Sequence, residues 1–425
     1  LGRGVDITLI LSDFDPILAT QHHRRTWESA QKLSAVDEVA ETGRFTFRVA
    51  AHPARTGLVP RLFFRAKVRE KFQEQQHDIH TPGLAGMSER DLFNLAPATH
   101  HQKIAVFDRK RLFIGGLDLN ERRYDTTDHD RPSEETWADV QLLVSGTVAE
   151  SAARHIETFE AVVAGRQKPS APAPAFLRTL SARRRFGVFH ISPRTVVGEL
   201  EDAHLPAISK ATSLIYLETQ FLRHQPLADA LAMAANRAKD LRLMVVLPAA
   251  PEDVVFDGNT GKDARMGEAL QADAIAKVQG AFGERALFAS PVQPKYSATE
   301  GREALAGAPI VYVHSKVSIF DDHTAIVSSA NLNGRSMRWD TEAGVQLTEL
   351  SHVARLRSRM LQHWIPGIKL AELGDLPEAF DSIRGLFFDD TQRTPEARLS
   401  RLTPYDPPPA REFGAHQPLA PDELE

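Results

Sequence analysis

Short apolar runs bounded by turn-forming residues set the rhythm of this chain. Val5–Leu11 reads as a buried strand, with Ser12–Pro16 turning the backbone at its end. Ile104–Phe107 and Leu112–Ile114 bracket a turn at Asp108–Arg111, the pattern of a hairpin. Val140–Val144 predicts a further strand. After it, Thr147 and Glu150 have capping-box spacing, and Ile156, Phe159 and Val163 recur at helical intervals. Lys168–Ala175 (KPSAPAPA) is proline-rich and polar, the composition of a linker.

The second half replays this order. Leu214–Leu217 predicts a strand, Leu227–Ala238 a helix and Leu241–Leu247 a strand that Pro248 closes. Val311–Val313 is a short apolar lead-in. Val317–Phe320 and Ala325–Val327 bracket a second turn, and Val345–Leu347 forms a late strand. Val353, Leu356, Met360 and Trp364 then give a helix. Strands alternating with helices indicate an α/β class: two repeats, each a mixed sheet flanked by helices. The expected boundaries are a first repeat over 1–167, a linker over 168–190, a second repeat over 191–375 and a C-terminal extension over 376–425. Within that extension, Pro404–Pro421 reads as a tail or an extended wrap. The halves differ in one respect. A strand and a helix (Leu214–Ala238) precede Leu241–Leu247, whereas almost nothing precedes the matching Val5–Leu11. The first repeat is therefore expected to lack its initial strand and helix, absent or supplied as a separate upstream fragment.

The repeats carry matching chemistry. His101, Lys103 and Asp108 form H-x-K-x-x-x-x-D, and so do His314, Lys316 and Asp321. The offset of 213 continues without a gap through Gly115/Ser328, Gly116/Ser329, Asp118/Asn331, Asn120/Asn333 and Arg122/Arg335. One copy would be weak; two with matched flanks report duplicated structure. Paired histidines and lysines delivered by duplicated segments imply one site at a pseudo-two-fold interface, suited to phosphate.

Composition narrows the field. With 425 residues the chain can hold two fused repeats around a sizeable core. No apolar run is long enough to span a bilayer, so contact with lipid is expected to be peripheral. A net charge of −5 argues against a general nucleic-acid binder. The absence of cysteine excludes disulfides, thiolate metal sites and cysteine nucleophiles. It suits passage through an oxidising compartment without demonstrating export. LGRGVDITLILSDFD lacks the layout of a signal peptide.

At these residues the chain resembles the phospholipase D superfamily, and most closely its phosphatidylcholine-hydrolysing branch. GGLDLNERRYDTTDH (Gly115–His129), IYLETQFL (Ile215–Leu222) and SSANLNGRSM (Ser328–Met337) look like elements of that branch. The similarity runs over roughly Val5–Trp364, weakly between His22 and Pro97. Asp118 stands where many members have Asn, and Ser328 where they have Gly. The resemblance implies a lipid phosphodiesterase that uses His101 as nucleophile and His314 as general acid and base. Lys103, Lys316 and Asn331, with Asn120 or Asn333, would steady the phosphoryl oxygens. Asp139 and Glu342 would orient the histidines. Asp108 and Asp321 are expected to hold hairpin turns, and Gly115, Gly116, Asp118, Ser328 and Ser329 to shape the motif.

Glu218 and Gln220 are candidate substrate contacts or satisfiers of buried backbone, and Arg123, Tyr124 and Asp125 are candidate pocket residues or structural ones. His100 is expected to bond locally, and Arg183–Arg185 to form a solvated charged face. A neutral imidazole is a competent nucleophile near neutral pH, and a protonated one can serve the leaving oxygen. Two lysines can do what a divalent metal does elsewhere, so no metal or other cofactor is expected. The expected partners are a phospholipid at a membrane surface and water or a small alcohol as acceptor, with no nucleic acid. The residues do not identify an immunity or chaperone partner, the headgroup preference or the cellular location. Two readings compete with a phospholipase D: a cardiolipin- or phosphatidylserine-synthase-like transferase, and a nucleic-acid phosphodiesterase.

Overall fold

The computed structural model describes residues 1–37, 42–63, 65–75, 95–119, 124–184, 188–369, 375–417, 421 and 423. Its strands are β1 (Ile7–Asp13), β2 (Phe45–Ala51), β3 (Ile104–Phe107), β4 (Arg111–Gly115), β5 (Gln141–Ser145), β6 (Phe176–Ala182), β7 (Arg194–Gly198) and β8 (Leu214–Glu218). They continue as β9 (Arg242–Val246), β10 (Ala286–Pro291), β11 (Ala304–Leu305), β12 (Ala308–Pro309), β13 (Val317–Phe320), β14 (Thr324–Ser328), β15 (Glu342–Leu347) and β16 (Leu402–Pro404). The α-helices are α1 (Thr20–Asp37), α2 (Leu58–Phe63), α3 (Arg65–Gln75), α4 (Thr147–Val163), α5 (Glu199–Lys210) and α6 (Gln225–Arg237). After them come α7 (Glu252–Val255), α8 (Lys262–Phe282), α9 (Gly334–Arg338), α10 (Leu350–Trp364), α11 (Leu376–Asp390) and α12 (Pro407–Phe413).

Among the described residues the second half builds a nine-stranded mixed sheet, ordered β16-β10-β9-β8-β13-β14-β15-β6-β7. Alternate residues of one strand feed opposite faces, as the two-residue period of a pleat requires. Ile215 and Leu217 of β8, with Leu243 and Val245 of β9, bury against α5, α6 and α8 through Leu200, Leu231 and Ile275. Tyr216, Met244, Val317 and Ile319 face α10 and α11 through Val353, Met360, Trp364 and Phe380. The first half is smaller: a parallel pair β1·β2 and an antiparallel sheet β3-β4-β5. Leu112 and Ile114 of β4 pack with Phe176, Ala343 and Val345, so the two halves share a core. No helix among the described residues is long and apolar enough to cross a membrane.

Several local expectations change. Residues 168–190 contain β6, which pairs with β15 and belongs to the second sheet rather than to a plain connector. Part of the Pro404–Pro421 stretch is helix α12, packed near α8, where the Gly414 amide follows Ala410 and the Ala415 amide bonds the Arg265 carbonyl. Phe413 lies under the Arg265 guanidinium. Three prolines at its start supply fixed φ values where helical N–H groups have no partner anyway. The Thr147/Glu150 capping box does not form. Gly146 is the N-cap with no side-chain cap, and Glu150 accepts from the Arg109 guanidinium instead. A charge-assisted bidentate pair outcompetes a single carboxylate–amide bond.

Candidate active site

Each histidine enters the site three residues ahead of a strand, and each is fastened to the opposite repeat. The His101 amide donates to the Thr341 carbonyl (2.9 Å), and the His314 amide donates to the Ala138 carbonyl (2.8 Å). The residue after each acceptor is an acid. Glu342 accepts from His101 Nδ1 at 2.9 Å, and Asp139 accepts from His314 Nδ1 at 2.8 Å. The orienting groups are thus exchanged between repeats. An Nδ1–H held by a carboxylate fixes the tautomer and places the lone pair on Nε2.

Two neighbouring features hold the acids. Ser329 donates its hydroxyl to Glu342 and accepts the Ala343 amide (3.1 Å). At the matching position in the first repeat, a Cβ on Gly116 would collide with the Asp139 carboxylate and the His314 carbonyl, and one on Gly115 with the Val140 carbonyl. Bare backbone is needed there because Asp139 takes the space that a side chain would fill. Asp139 also accepts the Val140 amide (2.8 Å).

Lys103 donates to the His101 carbonyl at 2.6 Å and lies 3.4 Å from Asp118. Lys316 donates to the His314 carbonyl. Burial lowers the Lys316 ammonium to about 7, an effect that Asp139 opposes and Lys103 reinforces. Burial likewise raises the Asp139 carboxyl to about 7, against the pull of Lys316. Both lysines therefore converge on one region, and the two half-sites differ: the His101 side chain is 26% exposed and that of His314 6%. Trp137 accounts for part of the difference, its ring lying 4.5 Å from His314.

The ring is positioned by an insertion in the first repeat. Between Asp118 and Asp139 the repeat offset falls from 213 to 203, so ten additional residues intervene there. From this stretch Asp125 accepts the Trp137 amide (2.7 Å) and pairs with His129 Nδ1 (2.5 Å). His129 in turn stacks on Trp364. Asp125 is therefore a structural anchor, and Tyr124 stands at the surface, 73% exposed, instead of lining a pocket.

The remaining candidates separate clearly. Glu218 is buried and accepts from Tyr216, Ser315 and Trp364 Nε1 (2.7 Å), so it is a buried hub rather than a substrate contact. Asn333 caps α9, accepting the Ser336 amide at 3.1 Å, which assigns it to the helix and not to substrate. Gln220 bridges the Tyr312 hydroxyl (2.8 Å) and Asn331 (3.1 Å). Asn331 Oδ1 is buried without a partner in this arrangement. Turning both amides over would let Tyr312 donate to Gln220 and Gln220 donate to Asn331, freeing the Asn331 N–H groups as donors.

Ser328 bonds the Ala330 amide at 3.2 Å. Asp321, at positive φ, accepts the amides of Thr212, Ser213 and Leu214, whereas Asp108 occupies the same backbone conformation at the exposed end of its hairpin. His100 bonds Thr341 Oγ1 at 2.8 Å. Arg183 is exposed and Arg184 donates to the Ser192 carbonyl. Asn120, Arg122, Arg123 and Arg185 lie outside the described residues. His22, which the sequence did not single out, sits near the site at the exposed start of α1, with part of its ring desolvated. Burial and Arg25 depress its pKa, while the charges of Asp118 and Asp257 raise it and His101 lowers it. Neither His22 nor Asp257 belongs to a repeated pattern, so only the three-dimensional arrangement identifies them.

Residues 205–364 match the family model "Cardiolipin synthase, PLD-like domain". Phospholipase D1 of Saccharomyces cerevisiae is 23% identical over 341 residues, covering 58% of this chain and 20% of that protein. Phospholipase D alpha 1 of Oryza sativa subsp. japonica is 23% identical over 371 residues, covering 60% and 46%. The chain thus spans half or less of the length of these curated relatives. A crystal structure of phosphatidylserine synthase from Haemophilus influenzae Rd KW20 aligns over 92% of this chain and 89% of that one, at 12% identity and a TM-score of 0.47. In its duplicated H-x-K-x-x-x-x-D segments, in this family model and in these curated relatives, the chain is similar to the phospholipase D superfamily.

Proposed function

We propose that this chain is a phospholipase D, cleaving the terminal phosphodiester of glycerophospholipids to phosphatidic acid and a free headgroup alcohol. The observation that carries the reading is the crossed pairing, His101 with Glu342 and His314 with Asp139. In the first step His101 Nε2 attacks phosphorus while protonated His314 gives its proton to the departing alcohol oxygen. The phosphatidyl group then rests on His101. In the second step His314, now neutral, takes a proton from water, whose oxygen displaces His101 and releases phosphatidic acid.

Lys103, Lys316 and Asn331 are the charge-stabilising groups, and the loss of one such preorganised donor costs about 10²–10³ in rate. The lysines carry the role a divalent ion fills elsewhere, so the reading needs no metal. A small alcohol can replace water in the second step, which makes headgroup transfer a side activity. The greater exposure of His101 supports its role as the group that meets a bulky lipid phosphate. The matched family description supports a second reading, a cardiolipin-synthase-like transferase with an alcohol as its physiological acceptor.

Headgroup release from a phospholipid panel, measured with and without an acceptor alcohol, separates the two readings. The lipase reading predicts phosphatidic acid as the main product in water alone. Dependence on added acceptor favours the transferase. Cleavage of single-stranded DNA with inertness toward every lipid would overturn both.

A further inference from the structure

The two repeats can be compared strand by strand. β1–α1–β2 repeats β9–α8–β10, a parallel pair joined by a long helix, and β3–β4–β5–α4 repeats β13–β14–β15–α10. In the second repeat β8 lies between these two groups, parallel to β9 from Leu214↔Arg242 to Glu218↔Val246 and antiparallel to β13 from Val317↔Glu218 to Phe320↔Ile215. In the first repeat β1 and β3 are edges of separate sheets, and among the described residues no strand pairs with both.

The exposure of these edges follows. All four residues of β13 are buried, whereas none of β3 is, and Phe107 is 53% exposed. β9 is buried along four of its five residues, whereas no residue of β1 is, and Ile7 is 41% exposed. Unpaired edges carrying exposed apolar side chains are a template for strand addition.

A second mark lies at the hairpin turn. Asp321 accepts three backbone amides and a hydroxyl from Thr212, Ser213 and Leu214, the residues that open β8. Asp108 holds the same positive-φ position (51° at both) with its carboxylate in solvent. It is an acceptor built for a strand start that the described residues do not provide. β1 reaches the motif segment through one side chain, Ser12, which donates to the His100 carbonyl.

We propose that the opening between β1 and β3 is a receptor for one β-strand, laid parallel to β1 and antiparallel to β3. Its occupant is a strand-then-helix segment of polypeptide with the pattern of Thr212–Arg237: two small polar residues whose amides meet Asp108, an alternating apolar strand, and an amphipathic helix. Occupancy joins the two small sheets into one that runs beneath His101, and so stiffens the repeat that carries this histidine. The inference does not depend on which phosphodiester the site cleaves.

Hydrogen exchange read by mass spectrometry tests it on the full chain, alone and with a synthetic peptide of residues 211–237 as probe. In the free chain, the amides of Ile7–Asp13 and Ile104–Phe107 should exchange far faster than those of β9 and β13. Peptide should slow them by about tenfold or more, the signature of a closed ladder. A scrambled peptide should not, and Asp108→Ala should weaken the probe about tenfold, the loss expected of hydrogen bonds to a charged acceptor. The same segment fused ahead of Leu1 raises its effective concentration and guards against a weakly binding peptide. The proposal is overturned if β1 and β3 are as protected as β9 and β13 in the free monomer, if a dimer of the chain protects them, or if neither peptide nor fusion slows their exchange.

Discussion

Replacing Glu342 with Gln isolates the claim that each repeat orients the other's histidine. The side chain is fully buried, and the exchange is isosteric, so no cavity forms. Ser329 can still donate to the remaining oxygen. What changes is the partner of His101 Nδ1, 2.9 Å away. An amide N–H there favours the tautomer with its lone pair on Nδ1 and its proton on Nε2, which cannot attack phosphorus. In the Asp–His pair of a serine-protease triad, the same acid-to-amide change lowers kcat about 10⁴-fold. A loss of about 10³–10⁴, or roughly 4–5.5 kcal/mol of barrier, is expected here. Asp139→Asn should act on His314 instead, and so on protonation of the leaving alcohol. The assay compares a phosphatidylcholine with a phosphodiester bearing an activated aryl leaving group that needs no acid. Asp139→Asn should recover much of its first-step burst on the aryl substrate, and Glu342→Gln should not. Equal recovery by both variants, or recovery by Glu342→Gln alone, refutes the assigned roles.

Gly116→Ala should drive its new methyl into the Asp139 carboxylate and the His314 carbonyl, costing about 1–3 kcal/mol of stability and about 10²-fold in kcat, read by thermal melting and steady-state rates. Because burial lowers Lys316 to about 7, raising the pH through that value removes its positive charge, so kcat/KM should fall on the alkaline side of a pH–rate profile. Lys316→Met should remove the lysine's contribution to that limb, leaving the fall due to His314, and lower the rate throughout. Glu218→Ala orphans three donors, those of Tyr216, Ser315 and Trp364 Nε1, and should cost about 3 kcal/mol or more in denaturant melts, with headgroup specificity unchanged in the folded fraction. Prolonged treatment with EDTA should leave phosphodiesterase activity intact; loss restored by a divalent ion would contradict the two-lysine reading.

Much of this arrangement was legible because it is repeated. The hairpins at Asp108 and Asp321, both histidine–lysine pairs and the strands around them follow from apolar runs bounded by turn residues. The orienting acids were reachable only by resemblance, since Asp139 and Glu342 break the common offset and their partners lie 175 and 241 residues away. For Glu218 the sequence leaves two readings open, a substrate contact because its strand ends beside the site or a satisfier of buried groups. The direction of its side chain depends on Trp364 and Ser315, which arrive from distant segments. The capping box failed for a similar reason: Glu150 found Arg109, a partner 41 residues away. β6 and α12 were hidden by prolines in or near them that read as linker and tail. Prolines mark where a ladder or helix cannot continue, yet they are also well placed at a helix start.

The most direct test of the account is to catch the covalent intermediate. The enzyme, mixed with a radiolabelled phospholipid and quenched within one turnover, would be digested and the phosphatidyl-bearing peptide sequenced by mass spectrometry. The account predicts label on His101, lost in Glu342→Gln and persisting longer in Asp139→Asn. Label on His314, or rapid turnover with no labelled histidine at all, would contradict it.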